Sequence, residues 1–295
     1  MQRLRPLVLA VAAFAFGGAA HSQTPPGLPT EIPQVRFNAG QSIVPYYEGW
    51  IRNRDGSFDL VFGYFNRNYR QELAIAAGPE NKVEPGPADQ GQPTYFLPRR
   101  QRFIYRVRVP ASFGNGVVTW TITANGRTEK AFGDLIPPEE ITERVVATNG
   151  NFDPGLDDPN KPPTLEISVA SRVAANTAVM LKARVTDDGL PKPRPIPQPT
   201  PQPTATGDSR VQAQVNTSGR GRLTGVRVTY LQLRGPAKAI LDQTGPIPAV
   251  NGEATASVRF TAPGAYTLLV SATDGAISTR KELTFTVVER LNTEQ

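Results

Sequence analysis

The sequence predicts an all-β protein made of two β-sandwiches in tandem, the second interrupted by a proline-rich inserted arm. Three observations predict it. Apolar residues come in short runs that alternate with polar ones, the period of a strand with one buried face. The runs are punctuated by 26 glycines and 29 prolines, several in turn-forming pairs such as Asp55-Gly56 and Asn125-Gly126. One segment, Asn149 to Pro163, is almost free of apolar residues and divides the strands into two sets.

Residues 1–22 read as a cleavable signal peptide. Arg3 and Arg5 form a short positive region, Leu7 to Ala20 is an uncharged apolar stretch, and Gly18, Ala20 and Ser22 stand at cleavage-compatible spacing. The apolar stretch falls short of the roughly 18–20 residues that span a bilayer, so the mature product is expected to be soluble, secreted or periplasmic, with no transmembrane segment. Cysteine is absent, which excludes a lipid-modified N-terminal cysteine and leaves burial alone to stabilise an exported chain. The formal net charge is +6, and losing Arg3 and Arg5 brings it to about +4. That charge is mild, and together with export it argues against a nucleic-acid partner.

Residues 23–40 form a Pro-rich, polar leader, and residues 41–145 carry the first sandwich. Tyr46 and Trp50 lead to Arg54-Asp55-Gly56, after which Phe58, Leu60, Phe62 and Tyr64 alternate, a hairpin signature. A third strand is expected at Gln71 to Ala76, then a turn-rich loop from Asn81 to Pro93. The next strand places Phe103, Tyr105, Val107 and Val109 on one side and Arg100, Arg102, Arg106 and Arg108 on the other. Val118, Trp120 and Ile122 mark a further strand, and Asn125-Gly126 turns it into Thr128 to Phe132.

Residues 146–163 are expected to be a linker, and residues 164–290 the second sandwich, with 291–295 as a tail. Leu165, Ile167 and Val169 alternate, as do Val179 to Val185 and Val226 to Tyr230. Ala254 to Phe260, Tyr266 to Ala272 and Leu283 to Val287 complete the set. Strands at this spacing suggest an immunoglobulin-like sandwich in each half. Between Pro191 and Pro203 every second residue is proline, which predicts a polyproline II rod of roughly 40 Å. With its polar return path the rod makes an inserted arm over 190–223, projecting from the second domain and dispensable for its folding.

Thr186-Asp187-Asp188-Gly189-Leu190-Pro191, Val228-Thr229-Tyr230, Gly235-Pro236, Pro263-Gly264-Ala265-Tyr266-Thr267-Leu268 and Ala272-Thr273-Asp274-Gly275 together resemble a polycystic-kidney-disease (PKD) repeat over about Pro162 to Val288. The resemblance implies an extracellular sandwich module used for adhesion or spacing. It departs from the pattern in having Tyr230 where a strand Trp is usual, and in the inserted arm. The first half, through Asn66-Arg67-Asn68-Tyr69, Gly78-Pro79-Glu80-Asn81 and Leu97-Pro98-Arg99-Arg100, is similar to domains of uncharacterised secreted bacterial proteins and implies no activity.

Chemistry is limited chiefly by exclusion. His21 is the only histidine and lies at the cleavage region, so the mature chain lacks His or Cys nucleophile–base pairs and the usual zinc, copper and haem ligands. No phosphate-binding loop and no nucleophile elbow occurs. No catalytic or cofactor-binding residue is assigned and no cofactor is expected. The reading is a non-catalytic extracytoplasmic binding, adhesion or scaffold module. Its partner is an envelope or extracellular protein or polysaccharide of unknown identity. The alternatives are a carboxylate-dependent glycan hydrolase and an accessory subunit of an envelope complex.

Three groups of side chains are singled out. Asp187, Asp188 and Asp274 are calcium candidates at strand-end turns, with Asp153, Asp157 and Asp158 in the linker able to reach the same pole. The same residues make turns unaided, which is the reading the sequence favours. Arg100, Arg102, Arg106 and Arg108 are a candidate surface for an anionic partner, and Arg210, Arg220, Arg222, Arg227 and Arg234 form a second basic stretch. Among the aromatics, Trp50, Phe62, Tyr64 and Trp120 alternate inward as core, and Tyr266 occupies the place of a tyrosine corner.

Overall fold

The computed structural model describes residues 36–151, 157–192 and 225–289. The expected signal peptide, most of the expected leader and inserted arm, Asp153, Arg210, Arg220 and Arg222, and the expected C-terminal tail lie outside the described residues. From Arg36 onward the chain forms one compact unit of strands with a single short α-helix among the described residues.

The first half contains β1 (Ile43–Arg52), β2 (Phe58–Asn66), β3 (Leu73–Ala74), β4 (Asn81–Glu84), β5 (Tyr95–Phe96), β6 (Arg99–Val109), β7 (Val118–Ala124) and β8 (Arg127–Gly133). β1-β2-β6 and β4-β7-β8 are antiparallel sheets, and β3-β5 is a small two-stranded one. Phe62, Tyr64, Phe96 and Trp120 are wholly buried between the sheets, with Phe62 edge-on to Trp120 and Tyr64 edge-on to Phe96. The alternating aromatics are thus core, and each buries on the order of 150–250 Å².

Asn81 to Pro93 is more ordered than its turn-rich sequence suggests. Asn81 opens β4 and is fully buried. Its amide donates to Ile75 O and Pro93 O, and its Oδ1 accepts from Trp120 Nε1 at 3.0 Å. A buried amide saturated in this way fixes a loop as firmly as an apolar plug. Asn66 and Asn68 act likewise, bonding Gln71 O, Phe96 O and Gln41 O, so that sequence word is structural.

β6 departs from the simple alternation the sequence suggests. Phe103 has φ 52° and does not join Tyr105, Val107 and Val109. The register jumps from Phe62↔Tyr105 to Tyr64↔Gln101, so residues 102–104 stand opposite the single residue Gly63. This bulge turns Phe103 to the outer face, where it packs with Ile51, Val61 and Val146 beneath α1 (Glu143–Ala147). Gly63 is required there: a Cβ would fall 2.4 Å from Gln101 O and 2.5 Å from Glu48 Oε1.

The second half contains β9 (Thr164–Ile167), β10 (Arg172–Ala174), β11 (Ala178–Thr186), β12 (Arg227–Arg234), β13 (Ala239–Leu241), β14 (Ile247–Pro248), β15 (Glu253–Phe260), β16 (Gly264–Thr273) and β17 (Ser278–Val288). Two sheets, β10-β17-β16-β12-β14 and β13-β15-β11-β9, face each other across Leu181, Val228, Val258, Phe260, Leu268 and Phe285. Tyr266 is fully buried and its hydroxyl donates to Ala262 O at 3.0 Å, the tie expected of a tyrosine corner.

The two halves pack directly on each other. Leu233 of β12 and Leu269 of β16 point away from their own core and join the apolar cluster of the first sandwich. Around them Thr94 N donates to Leu233 O, Gly235 N to Thr94 Oγ1, and Lys238 Nζ to Glu72 Oε1. Arg234 pairs with Asp89 at 2.5 Å, and that guanidinium, more than any other group, holds the Asp89 carboxyl below its ordinary range.

Candidate functional site

The arginines of β6 are drawn into ion pairs by the strands beside them. Antiparallel register sets Asp59 of β2 opposite Arg108, and Arg108 Nε donates to Asp59 Oδ1 at 3.0 Å. Arg106 makes a two-pronged contact with Glu143 of α1 at 2.6 and 2.7 Å. Glu48, the extra residue of a bulge in β1, receives Arg100 at 2.8 Å and Arg102 at 3.7 Å. Its side chain is only 5% exposed, and burial raises its carboxyl above the usual range although both arginines pull it down. Arg100 also lies over the Tyr46 ring, 3.8 Å from its centre. All four arginines on this proposed anionic-partner surface therefore already have a carboxylate.

The bulge that turns Phe103 outward also organises the junction of the sandwiches. It takes Arg102 O and Phe103 O out of the β2–β6 register, and Arg280 of β17 reaches across to both, at 3.3 and 3.1 Å. The other Nη of Arg280 donates to Asn149 Oδ1 at 3.2 Å, while Arg102 holds Asn149 O at 2.8 Å. Gly150 has φ +68°, a left-handed conformation that favours glycine, and a Cβ on it would displace the Arg102 guanidinium 2.5 Å away. Among the described residues no carboxylate pairs with Arg280. Burial, and then the nearby charge of Arg106, push its pKa below the ordinary guanidinium value.

Arg280 lines a cleft of about 490 Å³ between the sandwiches, together with Tyr105, Arg106, Glu143, Arg234 and Lys281. It also lines a second cleft of about 520 Å³, beside Arg100, Arg102 and Tyr230. Sequence reasoning missed Arg280, which stands in an ordinary alternating strand. The available signal lay elsewhere: Leu268-Leu269-Val270 is an unbroken apolar run, which marks a strand covered on both faces.

The aspartates gather at one pole of the second sandwich. Asp188 Oδ2 accepts from Lys161 N and its Oδ1 from Leu190 N, both at 2.9 Å, and these donors lower its carboxyl pKa. Asp187 Oδ2 accepts from Gly189 N. Its carboxyl is raised, first by burial and further by the charges of Asp274 and Asp188. Asp274 Oδ1 caps Ala276 N and Ile277 N, at 2.6 and 2.9 Å. All three make turns, and among the described residues no three acidic, histidine or cysteine side chains are arranged to hold a metal ion. In the linker Asp158 binds Arg144 at 3.3 Å.

No family model matches the chain, and no curated protein matches it. Solved structures with some likeness include a conjugative transposon lipoprotein from Bacteroides eggerthii, 16% identical, covering 42% of this chain and 96% of that one with a TM-score of 0.26. The D00–D0 region of intimin is 11% identical over 83% of this chain and 100% of that one, with a TM-score of 0.25. Immunoglobulin domains 1–4 of Sidekick-1 are 12% identical over 83% of this chain and 48% of that one, with a TM-score of 0.21. Scores this low carry no argument about the fold, which rests on the strand pairing above.

Proposed function

We propose that the chain acts outside the cytoplasm as a rigid, non-catalytic binding or scaffold module, and that the junction of its sandwiches offers the contact for an anionic partner. One observation carries the reading: Arg280 is held at that junction by three neutral acceptors and has no carboxylate of its own among the described residues. A desolvated charge without a counter-charge is costly, and an incoming carboxylate supplies one. The cleft beside it adds Lys281, while Arg106 and Arg234 are already paired. Among the described residues no helix is long and apolar enough to cross a membrane.

Affinity electrophoresis through polygalacturonate, poly-L-glutamate and neutral dextran, with a parallel reducing-end assay, tests the reading. The expected result is retardation by one or both carboxylate polymers, weakened in Arg280→Gln, with no release of reducing ends. Equal mobility in all three gels would remove the anionic contact. Release of reducing ends would restore the glycan-hydrolase alternative.

A further inference from the structure

Among the described residues, two buried oxygens at the aspartate pole have no donor. Asp274 is 6% exposed and its Oδ2 has no hydrogen-bond partner, although Oδ1 of the same carboxylate is saturated. Asn160, in the linker, is 4% exposed, and its Oδ1 likewise has no partner. Buried oxygens of this kind are normally matched by a donor or by a cation.

The chain path brings the two segments together. The stretch from Asn160 to Pro163 is tied on one side to the β11 turn through Lys161 N and Asp188 Oδ2. On the other side Thr279 Oγ1, at the start of β17, donates to Pro163 O at 2.5 Å. Asn160 therefore belongs to a segment strapped between the Asp187–Asp188 turn and the β16–β17 hairpin that carries Asp274. Asp187 is near enough to Asp274 for their like charges to interact. Asp188 is set apart from them, because backbone amides occupy both of its oxygens.

We propose that Asp187, Asp274 and Asn160 bind one divalent cation of the calcium class, with backbone carbonyls of these turns and solvent completing the shell. The donors are all oxygens, from three separate segments. Calcium accepts such uneven, extended shells, whereas magnesium demands a compact octahedron and keeps its water. The bound ion would relieve the repulsion between the two carboxylates and pin the linker to β17, the strand that carries Arg280 into the interdomain junction. Calcium would thereby stiffen the joint between the sandwiches. The rival for Asp274 Oδ2 is Arg227, whose neighbour across the ladder is Thr273 and whose buried Nε also has no partner among the described residues.

The test is thermal unfolding of the full mature chain in 5 mM calcium chloride, 5 mM magnesium chloride or 5 mM EGTA. Sites in extracellular modules bind calcium with dissociation constants on the order of 10⁻⁴–10⁻³ M. Calcium should therefore raise Tm by a few degrees, about 2–6 °C, with magnesium giving less. Asp274→Asn keeps the Oδ1 acceptor that caps the turn and should abolish the calcium increment, as should Asn160→Ala. In EGTA, Asp274→Asn should melt at or above the wild-type temperature, because it removes one of two repelling charges. An unchanged wild-type Tm in calcium would overturn the proposal, as would an increment that survives both substitutions. If Asp274→Asn and Arg227→Gln lower Tm equally in EGTA and calcium has no effect, the carboxylate belongs to Arg227 instead.

Discussion

Leu233→Ala combined with Leu269→Ala should uncouple the two sandwiches. Both leucines are buried, at 4% and 9% exposure, yet each projects from the outer face of the second sandwich into the apolar cluster of the first. A buried Leu→Ala change costs about 2–5 kcal/mol, toward the low end where the surroundings can close in. These two sites share one interface, so their effects will not add fully, and a combined loss of about 3–5 kcal/mol is expected. For a unit of this size each kcal/mol moves Tm by roughly 2–4 °C, which gives a fall of roughly 6–20 °C. Differential scanning calorimetry is the assay. The wild type should unfold in one transition, and the double variant should melt lower, with the transition broadened or split. Met180→Ala, at a side chain 63% exposed on the other sheet, is the control and should change little. Two independent transitions in the wild type, or a double variant within about 1 °C of it, would refute the reasoning.

Three further outcomes are expected. Tyr266→Phe removes the bond to Ala262 O and should cost about 1–2 kcal/mol, read as a shifted urea midpoint with an unchanged slope. Asp89 is held below its unfolded pKa, chiefly by Arg234, so its contribution is present above the unfolded carboxylate range and lost as pH falls through the folded value. The pair is partly exposed, so Asp89→Asn should lower stability by less than about 1 kcal/mol at pH 7, and the gap between the Tm–pH curves should close as pH falls below the ordinary carboxylate range. Replacing Leu190–Arg222 by a short Gly-Ser turn should leave a cooperative melt near the original temperature, whereas loss of folding would show that the arm is part of the domain.

The fold was legible where one rule governed a stretch. Alternation placed Trp120, Tyr64, Leu181 and Phe285 in cores, and Gly264 to Leu268 gave the tyrosine corner, because period and turn chemistry are local properties. Phe103 was assigned to the wrong face because a bulge shifts parity, and its left-handed φ has no marker in Arg102-Phe103-Ile104. The ion pairs of the β6 arginines were not legible, since the sequence cannot show Glu48 arriving from a bulge in β1 or Glu143 from a helix 37 residues from Arg106. Arg280 and Asn160 were invisible for the same reason: what distinguishes each is the absence of a usual partner among the described residues, a property of the assembled structure.

That the two sandwiches move as one rigid body is most directly tested by a distance across their junction. The chain has no cysteine, so Thr128→Cys and Glu166→Cys, exposed positions on β8 and β9, can each carry a single spin label. Double electron–electron resonance on the doubly labelled chain should give one narrow distance distribution. A broad or two-peaked distribution in the folded protein would contradict the account.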